Sequence, residues 1–138
     1  MIVKEYLEQV RYLDQRIDSK IEQLTSLKYL ATKCTSILTG MPRTGGSGNS
    51  SMENVLVKIV DLQEEINRDI DQLIDLKREV GRLIAGVDDL EYRVILEKRY
   101  LCYETWEQIA TELGYSDKWV RQLHKRALDM ITSFTENV

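Results

Sequence analysis

Two long apolar heptads, separated by a glycine-rich break, restrict this chain more than any other feature. Between residues 2 and 38, Val3, Tyr6, Val10, Leu13, Ile17, Leu24, Leu27, Ala31, Cys34 and Leu38 recur at alternating steps of three and four, and only Lys20 interrupts them. Between residues 53 and 85, Val55, Ile59, Leu62, Ile66, Leu73, Leu76, Val80 and Leu83 do the same, and only Asp69 interrupts. An apolar residue every 3.5 positions is the pattern of helices that bury one seam against another. The two seams match when the helices run antiparallel. Tyr6 with Leu83, Leu13 with Leu76, Leu27 with Leu62 and Cys34 with Val55 are pairs whose numbers sum to 89. Lys20 and Asp69 share that sum. The two seam breakers therefore fall in one layer with opposite charges, and the expectation is a helical hairpin (a coiled coil) with one structural polar layer.

The break, residues 39–51, holds four of the seven glycines and the only proline. Such a composition buries no core and reads as a flexible linker. It lacks the Gly-Lys-Ser/Thr ending of a phosphate-cradling loop. A second apolar line runs beside the seam, with Leu7 and Ile21 on the first helix and Leu56, Ile70 and Ile84 on the second. A two-helix hairpin cannot cover both lines. Either a second subunit or the C-terminal helices must cover the outer one, and a second subunit is favoured, which makes the chain a homodimer.

After Gly86, Asp88 or Asp89 is placed to cap a further helix that runs to about Leu101. Thr105 begins another, with Gln108 three residues on to complete a capping box. Ile109, Ala110 and Leu113 fall on one face, and Gly114 follows where a left-handed backbone is cheapest for glycine. Ser116 then caps a second helix with Asp117 in its first turn, favourable to the helix dipole. Val120, Leu123, Ala127, Leu128 and Ile131 form its inward stripe. Two short helices with a tight turn and a small residue, Ala110, at their crossing make a helix-turn-helix, whose second helix fits the DNA major groove.

Charge supports that reading. The whole chain carries a net charge of −4, and residues 1–92 account for it with 12 Lys+Arg against 16 Asp+Glu. Residues 117–128 carry Lys118, Arg121, Lys125 and Arg126 against Asp117. A basic helix on an acidic body suits local, oriented contact with duplex DNA. Arg121 and Gln122 are the candidate base readers, because Arg bonds guanine and Gln bonds adenine in bidentate fashion. Asp117, Lys118 and Trp119 lie near the helix start, the end that enters the groove, and Lys125 is placed to touch phosphate. Trp119 is equally suited to stacking on DNA or packing on Tyr115. Arg126 is expected to pair with Glu107 or Glu97, Tyr100 and Trp106 to lie in the core, and His124 to be a polar surface residue or a phosphate neighbour.

From Leu90-Glu-Tyr-Arg-Val-Ile-Leu-Glu-Lys-Arg-Tyr100 to Leu128, the chain resembles the fourth conserved region of bacterial sigma factors. Arg93, Leu96, Arg99 and Tyr100 keep the pattern of that region's preceding helix. Glu107-Gln-Ile-Ala-x-x-Leu-Gly114 and Val120-Arg-Gln-Leu-x-Lys-Arg-Ala-Leu128 keep the rest. Asp117, Lys118 and Trp119 depart from the residues sigma factors most often use, so their promoter sequence does not carry over. The arrangement as a whole, with Met41-Pro-Arg between the long helices, is similar to phage and prophage transcriptional regulators of the ArpU and RinA types.

The expected architecture is all-α, with a self-associating hairpin over residues 1–86 and a three-helix DNA-binding unit over 87–138. The resemblance implies transcriptional regulation of phage or prophage genes in the cytoplasm of a bacterial host. Two alternatives remain: an adaptor that uses the sigma-like unit to bind RNA polymerase, and a small terminase subunit that assembles as a ring. The single His, the unrelated positions of Cys34 and Cys102 and the absence of a His-x-x-Glu spacing speak against a metal site, a cofactor or an enzyme. The charged start Met-Ile-Val-Lys-Glu is no signal peptide, and no stretch approaches the roughly 18 apolar residues of a membrane span.

Overall fold

The computed structural model describes residues 2–40 and 47–136, with side chains described for 2–34 and 51–135. The fold is all-α. Among the described residues five α-helices follow one another: α1 (Val3–Gly40), α2 (Ser47–Ala85), α3 (Leu90–Leu96), α4 (Trp106–Leu113) and α5 (Asp117–Glu136). A π-helical turn, Glu97–Leu101, continues α3. The expected linker is shorter than its composition implies. Residues 39–40 close α1 and residues 47–51 open α2, while 41–46 lie outside the described residues. No helix of the described residues is long and apolar enough to cross a membrane.

The chain divides into two compact units, and the division does not fall at residue 86. One unit joins Met1–Leu13 to Leu73–Val138, and the other is Asp14–Gln72. The reason lies in the core of the first. Val3, Leu7 and Val10 of α1 are buried in one cluster with Val80 and Ile84 of α2, Val87, Leu96, Tyr100, and Ala127 and Ile131 of α5. Leu7 and Ile84 belong to the outer apolar line, and both are fully buried within the single chain. The C-terminal helices, rather than a second subunit, cover that end of the line. Tyr6 Oη donates to Glu79 Oε2 at 2.9 Å in the same unit.

In the other unit Ile17, Leu62 and Ile66 of the seam are buried. Lys20 Nζ lies 2.5 Å from Asp69 Oδ2, with the side chains only 15% and 12% exposed. The two seam-breaking residues thus meet across α1 and α2. The rest of the outer line, Ile21, Leu56 and Ile70, is exposed, and so are Val57 and Val60 of the same unit.

Candidate nucleic-acid interface

Local chemistry sets the turn between α4 and α5. Thr105 has an extended backbone and accepts from the Gln108 backbone N–H at 3.1 Å, while Gln108 Oε1 accepts from the Thr105 N–H at 2.8 Å. Both halves of the capping box form, which satisfies two of the donors that a helix start leaves open. Gly114 ends α4 with φ of 74°, in the left-handed region where a Cβ is strained. Ser116 Oγ accepts from the Trp119 N–H at 3.2 Å and opens α5. Asp89 caps α3 by accepting from the N–H groups of Glu91 and Tyr92. Arg93 then fixes the approach to α3 by donating twice to the Val87 carbonyl, at 3.2 and 2.8 Å.

One face of α5 is buried. Val120 and Leu123 pack with Ile95, Ile109 and Ala110, bordered by Tyr92, Trp106 and Leu113. Ala127 and Ile131 enter the other cluster, with the N-terminal residues of α1, so the stripe serves two packing partners rather than α4 alone. The opposite face carries Lys118, Arg121, Gln122 and Lys125, all exposed, with Asp117 exposed at the helix start. At helical spacing these four side chains span about 100° of arc. The structure therefore brings the expected basic and amide residues onto one solvent-facing strip of the second helix.

Both borders of this strip differ from expectation. On one side, the Arg126 guanidinium carbon lies 5.2 Å from the Trp119 ring centroid. Arg126 stacks there instead of pairing with Glu107 or Glu97. The Trp119 ring thus lies under the Arg126 guanidinium. On the other side lies a buried aromatic cluster. His124 is buried rather than exposed, its ring edge on to Trp106 with centroids 4.6 Å apart. Its Nε2 is 2.6 Å from Tyr100 Oη. Burial, then the charges of Lys4 and Arg99, push the His124 pKa down to about 4, so the ring is neutral at neutral pH. Burial also holds the Tyr100 phenol in its protonated form, its pKa raised well above the usual value. A signal for this was present: Val120, His124, Ala127 and Ile131 follow steps of four, three and four, the spacing of an inward stripe.

Arg99 sits on the same cluster, with its guanidinium carbon 4.3 Å from the Trp106 centroid and a donated bond to the Glu104 carbonyl at 3.0 Å. The Arg121 guanidinium carbon is 6.0 Å from the same ring. The π-helical turn that carries Arg99 and Tyr100 sends the tyrosine inward to His124 and the arginine onto Trp106. Such turns are rare and recur at functional sites. Lys98, in the same turn, bonds Glu112 of α4 and lies 3.9 Å from Glu104 Oε2, which ties the turn to α4.

The family model described as Protein of unknown function (DUF1492) matches residues 41–131. That stretch contains the whole strip on α5 and its aromatic border. No curated protein matches the chain. No solved structure matches it.

Proposed function

We propose that the chain, which belongs to the DUF1492 family, binds duplex DNA in a sequence-specific manner and regulates transcription of phage or prophage genes in the bacterial cytoplasm. The observation that carries this reading is the division of α5. Val120, Leu123, Ala127 and Ile131 are buried, while Lys118, Arg121, Gln122 and Lys125 stand exposed on the second helix of a capped helix-turn-helix. A helix anchored along one face and basic along the other presents donors to the major groove and to phosphates without losing its packing. Arg121 and Gln122 read bases in this arrangement, Lys118 and Lys125 position the backbone, and Asp117 and Trp119 flank the helix entry.

The protein acts as a homodimer through the exposed apolar residues of the Asp14–Gln72 unit. Ile21, Leu56, Val57, Val60 and Ile70 are too many large exposed apolar side chains on one unit for an ordinary solvated hairpin. Paired half-sites on DNA suit a paired reader. Selection of bound duplexes from a random pool tests the function. Enrichment of a defined, two-part site supports it. A pool that stays random, with affinity no better than the non-specific range of about 10⁻⁴–10⁻⁶ M, sinks it and favours the polymerase-adaptor reading.

A further inference from the structure

Lys4 and Arg11 of α1 are two cations that the helix-turn-helix does not contain, yet they stand at its edge. They are seven residues apart and share a face of α1 with Leu7, which lies three residues after one and four before the other. Leu7 is fully buried, in the same cluster as Tyr100, Ala127 and Ile131. Lys4 and Arg11 therefore flank the buried stripe by which α1 enters this cluster, and both are exposed.

Their charges reach the aromatic border of the α5 strip. Arg99, partly buried against Trp106, holds its proton less tightly than usual, first through burial and then through repulsion from Arg11 and Arg121. Lys4 and Arg99 act in the same sense on His124. Glu8, on the same stripe of α1, carries the opposing charge and favours protonated Arg99. Like charges gathered in a chain whose net charge is −4 repel one another. A polyanion laid across them removes that repulsion.

We propose that Lys4 and Arg11 form a second, sequence-independent contact with the DNA backbone, beside the Arg121 edge of the α5 strip. The contact rests on the DNA-binding reading above and extends it: α5 reads the groove, and the first turns of α1 clamp the flanking phosphates. Phosphate contacts of this kind fix register and orientation and carry no sequence information.

The test is titration of labelled duplex DNA at several salt concentrations with the full chain, the K4Q/R11Q variant and the E8Q variant. Each phosphate contact contributes about 0.9 to the slope of log affinity against log salt. K4Q/R11Q is expected to lower that slope by about 1.8, to weaken selected and random duplexes alike, and to keep the same base preference. E8Q removes the opposing charge and is expected to tighten binding about two- to fivefold, the size of one screened surface charge contact. A gain of affinity cannot arise from damaged folding. An unchanged slope in K4Q/R11Q, or no gain in E8Q, overturns the proposal while leaving DNA binding by α5 intact. Failure of the unaltered chain to bind any duplex overturns both readings together, and the two failures are thereby told apart.

Discussion

Tyr100 Oη and His124 Nε2 are held 2.6 Å apart in the interior of the C-terminal unit. The pair links the π-helical turn to the middle of α5, and Trp106 at the start of α4 closes over it. Three elements, the π-helical turn, α4 and α5, thus converge on one buried hydrogen bond. A neutral imidazole suits this place, because protonation would put a charge among Tyr100, Trp106 and the nearby cations Lys4 and Arg99.

Stability is therefore expected to fall with acid. The His124 pKa is depressed to about 4 in the folded chain, against about 6.5 when unfolded. Between these values the unfolded chain binds the proton and the folded chain does not. The contribution is complete above about pH 6.5 and is lost progressively as pH drops to about 4, up to about 3 kcal/mol in all. Chemical denaturation from pH 7 down to pH 4 measures it. His124→Gln, which keeps an amide near Tyr100, is expected to flatten this dependence. A variant whose stability falls with acid as steeply as the parent's would place the titration elsewhere.

Truncating the partner hydroxyl tests the same bond independently. Tyr100→Phe leaves a buried ring nitrogen without its contact and is expected to cost about 1–3 kcal/mol at pH 7. Thermal melts under two-state conditions report the change. A cost near zero would mean that water replaces the phenol and that the pair adds nothing to the rigidity of α5.

The Lys20–Asp69 contact crosses the paired helices in a largely buried layer. Lys20→Leu alone leaves the Asp69 carboxylate without its cation and is expected to destabilise by about 1–3 kcal/mol, less than a fully buried pair because both groups keep some solvent. Lys20→Leu with Asp69→Leu removes the desolvation cost of both groups and is expected to raise the melting temperature. A double variant that melts lower than the parent would show that the ion pair stabilises more than the leucines that replace it.

The outer apolar line yields two distinct outcomes along its length. Leu7 is fully buried inside the chain, so Leu7→Ala is expected to cost about 2–5 kcal/mol. Ile21 and Ile70 are exposed. Ile21→Gln with Ile70→Gln is expected to leave the stability of the single chain nearly unchanged while lowering its mass in solution. Sedimentation and chemical denaturation at two protein concentrations separate the effects. Unchanged mass would remove the homodimer from the proposed function.

What could be read from the sequence follows the range of the forces involved. The capping box at Thr105 and Gln108 and the left-handed Gly114 are local, settled by a few residues of backbone chemistry, and they appear where expected. The meeting of Lys20 with Asp69 is distant in sequence, yet periodicity transmits it, since one register sets every layer. The burial of Leu7 and Ile84 was not legible in the same way. Heptad spacing reveals an apolar line but not what covers it, and the cover here comes from residues more than forty positions away on α5. The linker is shorter than its glycine and serine content implies, because α1 runs past its last heptad residue and α2 starts before its first. His124 sat between leucine and lysine in a basic stretch. Its burial depends on Tyr100 and Trp106 arriving from two other elements, a tertiary fact that overrides polarity.

The exposed strip of α5 separates specific from general binding. Arg121 lies at the border of the strip, near Trp106, and a bidentate arginine contact with guanine is lost in Arg121→Ala. The expected cost is about 1–3 kcal/mol of specific affinity, with relaxed preference at one base position. Lys125, on the same exposed face, is assigned to phosphate. Lys125→Ala is expected to weaken all sequences alike and to reduce the salt slope by about one unit. Both variants change solvent-facing side chains, so helix content and melting temperature should stay near those of the parent. The comparison uses a selected duplex and a random one, each at two salt concentrations. If Arg121→Ala lowers affinity for both duplexes equally, Arg121 is a backbone contact and Gln122 becomes the leading base reader. If neither variant changes binding while the parent still binds DNA, the strip is not the interface, and the basic face of α5 becomes a candidate contact for RNA polymerase.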